Sequence, residues 1–167
     1  MDEKEAKISG VEIREIKEAD IPEISTVYAE AFNNANLGEE WSQDTAKKFI
    51  EYWFNKQRDL FFLAIKEGNI IGGIVREIKP WWDGPRLVDY ELFVKPEEQQ
   101  QGIATQLMRQ IIEGAIEKYG VTEIEGIVDG NSDFPQNWYK NIGIVTTGLV
   151  HISGDTHQVL QHLKRVH

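Results

Sequence analysis

ELFVKPEEQQQGIATQLMRQIIEGAIEKYG, Glu91 to Gly120, is the stretch from which the fold is read. Leu92, Phe93 and Val94 close an apolar run that begins near Leu87 and has the character of a strand. Pro96 stops it, because proline offers no N–H to a ladder. Gly102 then opens a helix. Its apolar residues, Ile103, Leu107, Met108, Ile111, Ile112, Ala115, Ile116 and Tyr119, recur at helical spacing on one face. Gly120 ends it in the manner of a C′ glycine. Between strand and helix lie Gln99, Gln100, Gln101, Gly102, Ile103, Ala104 and Thr105. The first N–H groups of a helix lack an internal partner, and the helix dipole adds partial positive charge there. Small residues at two of these positions let an anion approach the amides. The junction is therefore expected to be a phosphate or pyrophosphate site built from backbone. No lysine follows Pro96 in the loop, so N–H groups would hold the anion. An ordinary strand–loop–helix connection has the same spacing.

Upstream, Val11 to Ile16 alternates as a first strand. Asp20 and Glu23 have capping-box spacing, with Pro22 in the first turn. Ile21, Ile24, Val27, Tyr28, Ala31 and Phe32 then line one face of a helix. Asn33 to Trp41 is a loop, and Ser42 caps a second helix with Ala46, Phe49, Ile50, Trp53 and Phe54 inward. Leu60 to Ile65 is a buried strand. Glu67-Gly68-Asn69 turns into the next strand, Ile70 to Val75, where Gly72-Gly73 marks a bulge or a close approach. Lys79 to Pro85 is read as a turn. Trp81 and Trp82 within it offer an apolar wall to a substrate or to a second copy of the chain, a homodimer.

Downstream, Thr122 to Val128 is a strand, and Asn131 to Asp133 caps a short helix through Trp138 and Tyr139. Ile144 to Ser153 and Gln158 to Val166 are read as a closing hairpin over Gly154-Asp155. The expected order is β-α-α-β-β-β-α-β-α-β-β. It describes one α/β (α+β) domain over residues 1–167, with a mixed, mostly antiparallel sheet and helices on both faces. One parallel pair is expected where the Gly102 helix crosses over.

Composition narrows the function. The chain has 167 residues, 41% of them hydrophobic, which suits a globular core. It has no cysteine, which excludes disulfides, thiol nucleophiles and thiolate metal sites. The net charge of −10 argues against nucleic acid as a partner and is compatible with a cationic amine. The acidic start, MDEKEAKISG, is unlike a signal peptide, and no apolar run reaches membrane-span length. A cytoplasmic protein with no membrane partner is expected. P-loop, G-x-G and G-x-S-x-G patterns are absent. His151, His157, His162 and His167 lack zinc-protease spacing, so no metal is expected.

The run V-K-P-E-E-Q-Q-Q-G-I-A-T-Q-L-M resembles the acyl-CoA motif of the GNAT superfamily of N-acetyltransferases. Gln99, Gly102 and Ala104 fit its Gln/Arg-x-x-Gly-x-Gly/Ala pattern. Asn131 followed by W-Y-K-N-I-G-I resembles the family's second signature: Tyr139 and Gly143 match, and Ile144 replaces the usual Phe. The resemblance implies acetyl-CoA as cosubstrate, held at Leu92, Phe93, Val94, residues 99–105 and Asn131. It implies transfer to a primary amine, with Tyr139 as general acid to the departing thiolate. It also implies that the region of the first two helices, with Trp41, shapes the acceptor pocket. Aligned on Leu92-Phe93-Val94, the acidic pair of polyamine N-acetyltransferases falls on Tyr90 and Glu91. Glu91 is the preferred base and Asp89 the next, with a water chain as a third route. Asp89, Tyr90 and Trp81 are expected around the acceptor. Asn131 stands one residue further from Tyr139 than in relatives that space the two by seven. A non-catalytic acyl-CoA-binding module, or an enzyme acting on a protein N-terminus or lysine, fits the same motifs.

Overall fold

The computed structural model describes residues 10–163 other than 36, 129, 131, 132, 150 and 152, and the backbone alone at 89, 90, 133 and 134. The described residues fall into two compact units divided after Gly126. The first holds β1 (Val11–Glu15), α1 (Ile21–Asn34), α2 (Gln43–Gln57), β2 (Phe61–Lys66), β3 (Asn69–Trp81), β4 (Gly84–Val94), α3 (Ile103–Tyr119) and β5 (Glu123–Ile124). Its sheet has the order β1-β2-β3-β4-β5. The first four strands pair antiparallel, and β4 pairs parallel to β5. This is the mixed, mostly antiparallel sheet expected from the sequence.

Alternation along β2 divides the core between the two faces. Phe61, Leu63 and Ile65 pack with Ile24, Tyr28, Ala46, Ile50 and Trp53 of α1 and α2. Phe62 lies on the other face, where it meets Gly114 of α3. Burying each such side chain contributes about 1.5–3 kcal/mol, so the sheet is held from both sides.

Local chemistry explains the element ends. Ser42 caps α2: its hydroxyl accepts from the Thr45 N–H at 3.1 Å, and the Ser42 N–H donates to Thr45 Oγ1 at 3.0 Å. Asp20 does not cap α1 through its side chain. Its carboxylate accepts instead from the Lys17 N–H at 2.7 Å and from both terminal nitrogens of Arg14. Glu23, the other half of the expected box, accepts from the Ile70 N–H at 2.7 Å and ties α1 to β3. A tertiary donor outcompetes the local one.

Three readings of the sequence need correction. The Lys79–Pro85 turn is strand almost throughout. β3 runs on to Trp81 and β4 starts at Gly84, leaving a two-residue turn at Trp82-Asp83. Pro80 faces Pro85 beyond the residues of β3 that pair with β2 and of β4 that pair with β5, so both edges of the ribbon are unpaired there and each proline is tolerated on its own edge. The Thr122–Val128 strand shrinks to Glu123–Ile124. In place of the closing hairpin, the described residues after α4 (Asp133–Asn141) form one helix, α5 (Thr156–Leu163). Asp155, read as a turn residue, is its cap: the Asp155 carboxylate accepts from the Gln158 N–H at 2.9 Å.

Candidate active site

β3 and β4 carry two irregularities that shape the site. The register moves from Arg76–Tyr90 to Glu77–Val88, so Asp89 is an extra residue on β4. Such a bulge strengthens twist and ends pairing. Below it, β5 pairs only with Arg86 and Leu87, and the last ladder bond runs from the Glu125 N–H to the Leu87 carbonyl at 2.9 Å. From Val88 to Val94, no strand among the described residues pairs with that edge of β4. Its N–H and C=O groups are a template for an extended, amide-bearing ligand.

Gly72 and Gly73 lie opposite Val94 and Phe93. A Cβ on Gly72 would sit 2.6 Å from the Phe93 carbonyl oxygen. A Cβ on Gly73 would sit 3.0 Å from the Phe93 ring and 3.4 Å from Ile24. Both glycines serve a close approach, and Gly73 leaves room for the Phe93 ring and for Ile24 of α1.

The loop after β4 is held from within. The Lys95 N–H donates to the Ile71 carbonyl at 2.9 Å, and Gln99 Nε2 donates to the Val94 carbonyl at 3.0 Å. Gln101 Nε2 reaches Glu98 at 3.1 Å, and Glu98 pairs with Lys66 at 2.7 Å. The side chains of Gln99 and Gln101 thus brace the loop. Gln100 (φ 61°) and Gly102 (φ 82°) are left-handed two residues apart. Left-handed residues of this kind line successive N–H groups along a concave side. Gly102 is the N-cap of α3 and brings no side chain to its first turn. Ile103 is buried and anchors that turn, while Thr105 is exposed. The arrangement fits an anion bound by backbone.

On the α1/α2 face, Glu91 stands opposite Val75, and Phe93 follows two residues on. Tyr28 is 1% exposed and packs against Phe32, Trp41, Phe49 and Phe93, with ring centroids 4.5–5.1 Å away. Trp41 is positioned by Asn33, whose side chain accepts from its N–H at 2.8 Å and donates to its carbonyl at 3.0 Å. Its indole donates to Glu39 at 2.6 Å. Burial pushes the Glu91 carboxyl up to about 7; the Tyr28 hydroxyl opposes this by stabilising the anion, and the charge of Glu39 adds to it. Burial, then Glu91 and Glu39, push the Tyr28 phenol far above its ordinary range, so it keeps its proton.

The structure brings Glu91, Trp41, Leu92, Phe93 and Val94 into one neighbourhood at the end of β4. Asp89 and Tyr90 are there by backbone, with side chains outside the described set. Trp81 is not there. It sits at the tip of the β3–β4 hairpin, its ring 5.2 Å from both Lys79 Nζ and the Arg86 guanidinium. Sequence reasoning missed Tyr28, read only as part of the apolar face of the first helix, and Glu39, which lies in the Asn33–Trp41 loop and was given no role. A phenol on an otherwise apolar helix face was the available signal for the first.

Tyr139 belongs to the second unit, in α4, and is 9% exposed. Its carbonyl accepts from the N–H groups of Ile142 and Ile144 at 3.1 and 2.9 Å, across Gly143 at φ 88°. That left-handed position is where the helix stops, which accounts for the glycine there. Asn131 lies outside the described residues. No group of His, Asp and Glu suited to a metal occurs among the described residues, and none of their helices is long and apolar enough to cross a membrane.

No curated protein sequence matches the chain significantly. Its fold is similar to that of solved structures. PH1933 from Pyrococcus horikoshii OT3 shares 24% identity, with 85% of this chain and 93% of that one covered at a TM-score of 0.69. The aminoglycoside N-acetyltransferase AAC(6')-Iy in complex with CoA shares 19% identity, with 87% and 95% covered at 0.68. An N-acetyltransferase, PaiA, from Thermoplasma acidophilum in complex with coenzyme A shares 20%, with 84% and 92% covered at 0.66. The sequence model described as "Acetyltransferase (GNAT) family" matches residues 21–144, from the start of α1 to the residue after Gly143. With that match over most of its length, and with the loop, strand edge and bulge described above, the chain belongs to the GNAT family of acetyltransferases.

Proposed function

We propose that the protein transfers an acetyl group from acetyl-CoA to a primary amine of a small cationic acceptor, by direct attack within a ternary complex. The observation that carries this reading is Glu91: a half-buried carboxyl raised to about 7, at the strand end beside the open edge of β4. A base poised near neutrality is what deprotonating an ammonium requires. The loop 99–105 binds the phosphates through its amides, and the β4 edge pairs with the amides of the pantetheine arm. Glu91 takes a proton from the acceptor ammonium. The freed amine attacks the thioester carbonyl, and an N–H near Phe93 or Val94 steadies the oxyanion. The attacking nitrogen gives up its second proton to water, collapse expels the CoA thiolate, Tyr139 gives that thiolate its phenolic proton, and the phenol is restored from water. Holding amine and thioester together supplies much of the rate. The acidic character of the chain and the two neighbouring glutamates, Glu91 and Glu39, favour a cationic acceptor. The fold shared with an aminoglycoside N-acetyltransferase makes amino sugars a first class to try.

The test is CoA release from acetyl-CoA across a panel of small amines. Glu91→Gln is expected to lower kcat by about 10²- to 10⁴-fold and to flatten its rise with pH. Glu91→Gln kinetics identical to wild type from about pH 6 to 9 would remove Glu91 from the mechanism.

A further inference from the structure

We infer that Lys66 and Glu98 are positioning residues for acetyl-CoA: their ion pair fixes the loop whose amides take the phosphates. The inference rests on the proposed role of residues 99–105 in holding that cosubstrate. The loop has to keep its N–H groups along one concave side before any ligand arrives, and Gln100 makes this hard. Its φ of 61° is one that a residue with a side chain rarely takes, so surrounding bonds have to impose it.

Those bonds can be followed through the loop. The Lys95 N–H ties its start to β3, and Gln99 Nε2 ties its middle to the end of β4. The third tether crosses Gln100. Glu98 ends the single helical turn Pro96–Glu98, and its Oε2 accepts from Gln101 Nε2 at 3.1 Å, which joins side chains on either side of residues 99 and 100. The same carboxylate takes Lys66 Nζ on both oxygens, at 2.9 and 2.7 Å. Lys66 is the last residue of β2, paired with Val11 of β1 and Asn69 of β3, so strands on both sides fix its backbone. The pair thereby carries the position of the sheet to the residue before Gly102. An isolated, fully exposed ion pair holds little. This one is two-pronged and has a third member in Gln101, and its side chains are only 33% and 16% exposed, which limits screening. A site already held by bonded neighbours needs less ordering when its ligand binds.

Bare electrostatics gives the opposite expectation for Glu98. A carboxylate beside an anion site repels phosphate, so its removal by itself tightens binding. The experiment uses that difference in sign, with CoA binding to the full chain measured by calorimetry. Affinity should fall about threefold to fivefold in Glu98→Ala, the upper range for an exposed ion pair. Lys66→Met should lose as much, and the double variant no more than either, because each change removes the same brace. Glu98→Gln loses the same charge but keeps an oxygen for Gln101 and Lys66, and should recover part of the affinity. Melting temperatures should stay within about 2 °C of wild type, since neither residue lies in the core. Glu98→Ala that binds CoA as tightly as wild type, or more tightly, overturns the inference while leaving the loop as the phosphate site. Losses that multiply in the double variant give Lys66 a direct role on the phosphates and overturn it too. Affinity lost only in step with Tm makes the pair a general stabiliser, with the same consequence. Wild-type affinity in Gly102→Val removes the loop site itself, and the brace falls with it.

Discussion

Glu91→Gln should stabilise the protein, and the gain should depend on pH. The carboxyl titrates near 4.5 when solvated and near 7 in the fold. Below about pH 4.5 both states hold the proton, and the site costs nothing through linkage. Between the two values the folded state keeps a proton that the unfolded state has shed, so stability falls as pH rises. Above about pH 7 both states are ionised and the full cost is present. The gap between the two values, at roughly 1.4 kcal/mol per pH unit, sets an upper bound of about 3.5 kcal/mol. Residual solvent contact at Glu91 reduces this to roughly 2 kcal/mol. Glutamine keeps an oxygen for the Tyr28 hydroxyl and carries no charge, so it escapes this cost. Urea unfolding, followed by tryptophan fluorescence, should give the two proteins equal stability near pH 4.5. Near pH 8 the variant should lead by roughly 2 kcal/mol, or about 4–8 °C in Tm for a chain of this size, with the denaturant slope unchanged. Other carboxylates titrate in both proteins and cancel. A stability difference of the same size at both pH values would refute the reasoning, because it would owe nothing to ionisation. The expected result joins lost turnover to gained stability, as a base held in a desolvated place requires.

Tyr139→Phe keeps the ring and removes the proton; kcat should drop by about 10²- to 10⁴-fold with acetyl-CoA affinity nearly unchanged, and turnover within about twofold of wild type assigns protonation of the thiolate elsewhere. Gly102→Val places a branched side chain at φ 82° at the N-cap of α3; calorimetry should find no CoA binding to the folded variant, and wild-type affinity would move the phosphate site away from this loop.

Much of the first unit is legible in the sequence because its signals are local. Pro96 cannot extend a ladder, Gly102 and Gly120 take the left-handed ends of α3, and the 3.6-residue spacing from Ile103 onward needs no knowledge of what lies beneath. The acyl-CoA motif is local in the same sense, since its chemistry is that of the first amides of a helix. A local signal was also misread: Asp155 caps α5, yet Gly154-Asp155 has equally the look of a hairpin turn.

What depended on tertiary structure is everything whose energy comes from distant segments. The length of β5 is decided by how far β4 accompanies it before the bulge at Asp89, and no periodicity in Thr122 to Val128 records that. Asp20 and Glu23 leave the local box because Arg14 and the Ile70 N–H are the partners folding delivers. Glu91 is the clearest case. The sequence places a carboxylate near the end of a strand. Its basicity is set by burial under α1, a phenol 63 residues earlier in the chain and a glutamate before Trp41. Helix caps and strand stops are bonds between near neighbours, so a sequence spells them out. A protonation state is a sum over all the atoms around a group, and that sum exists only once the chain has folded.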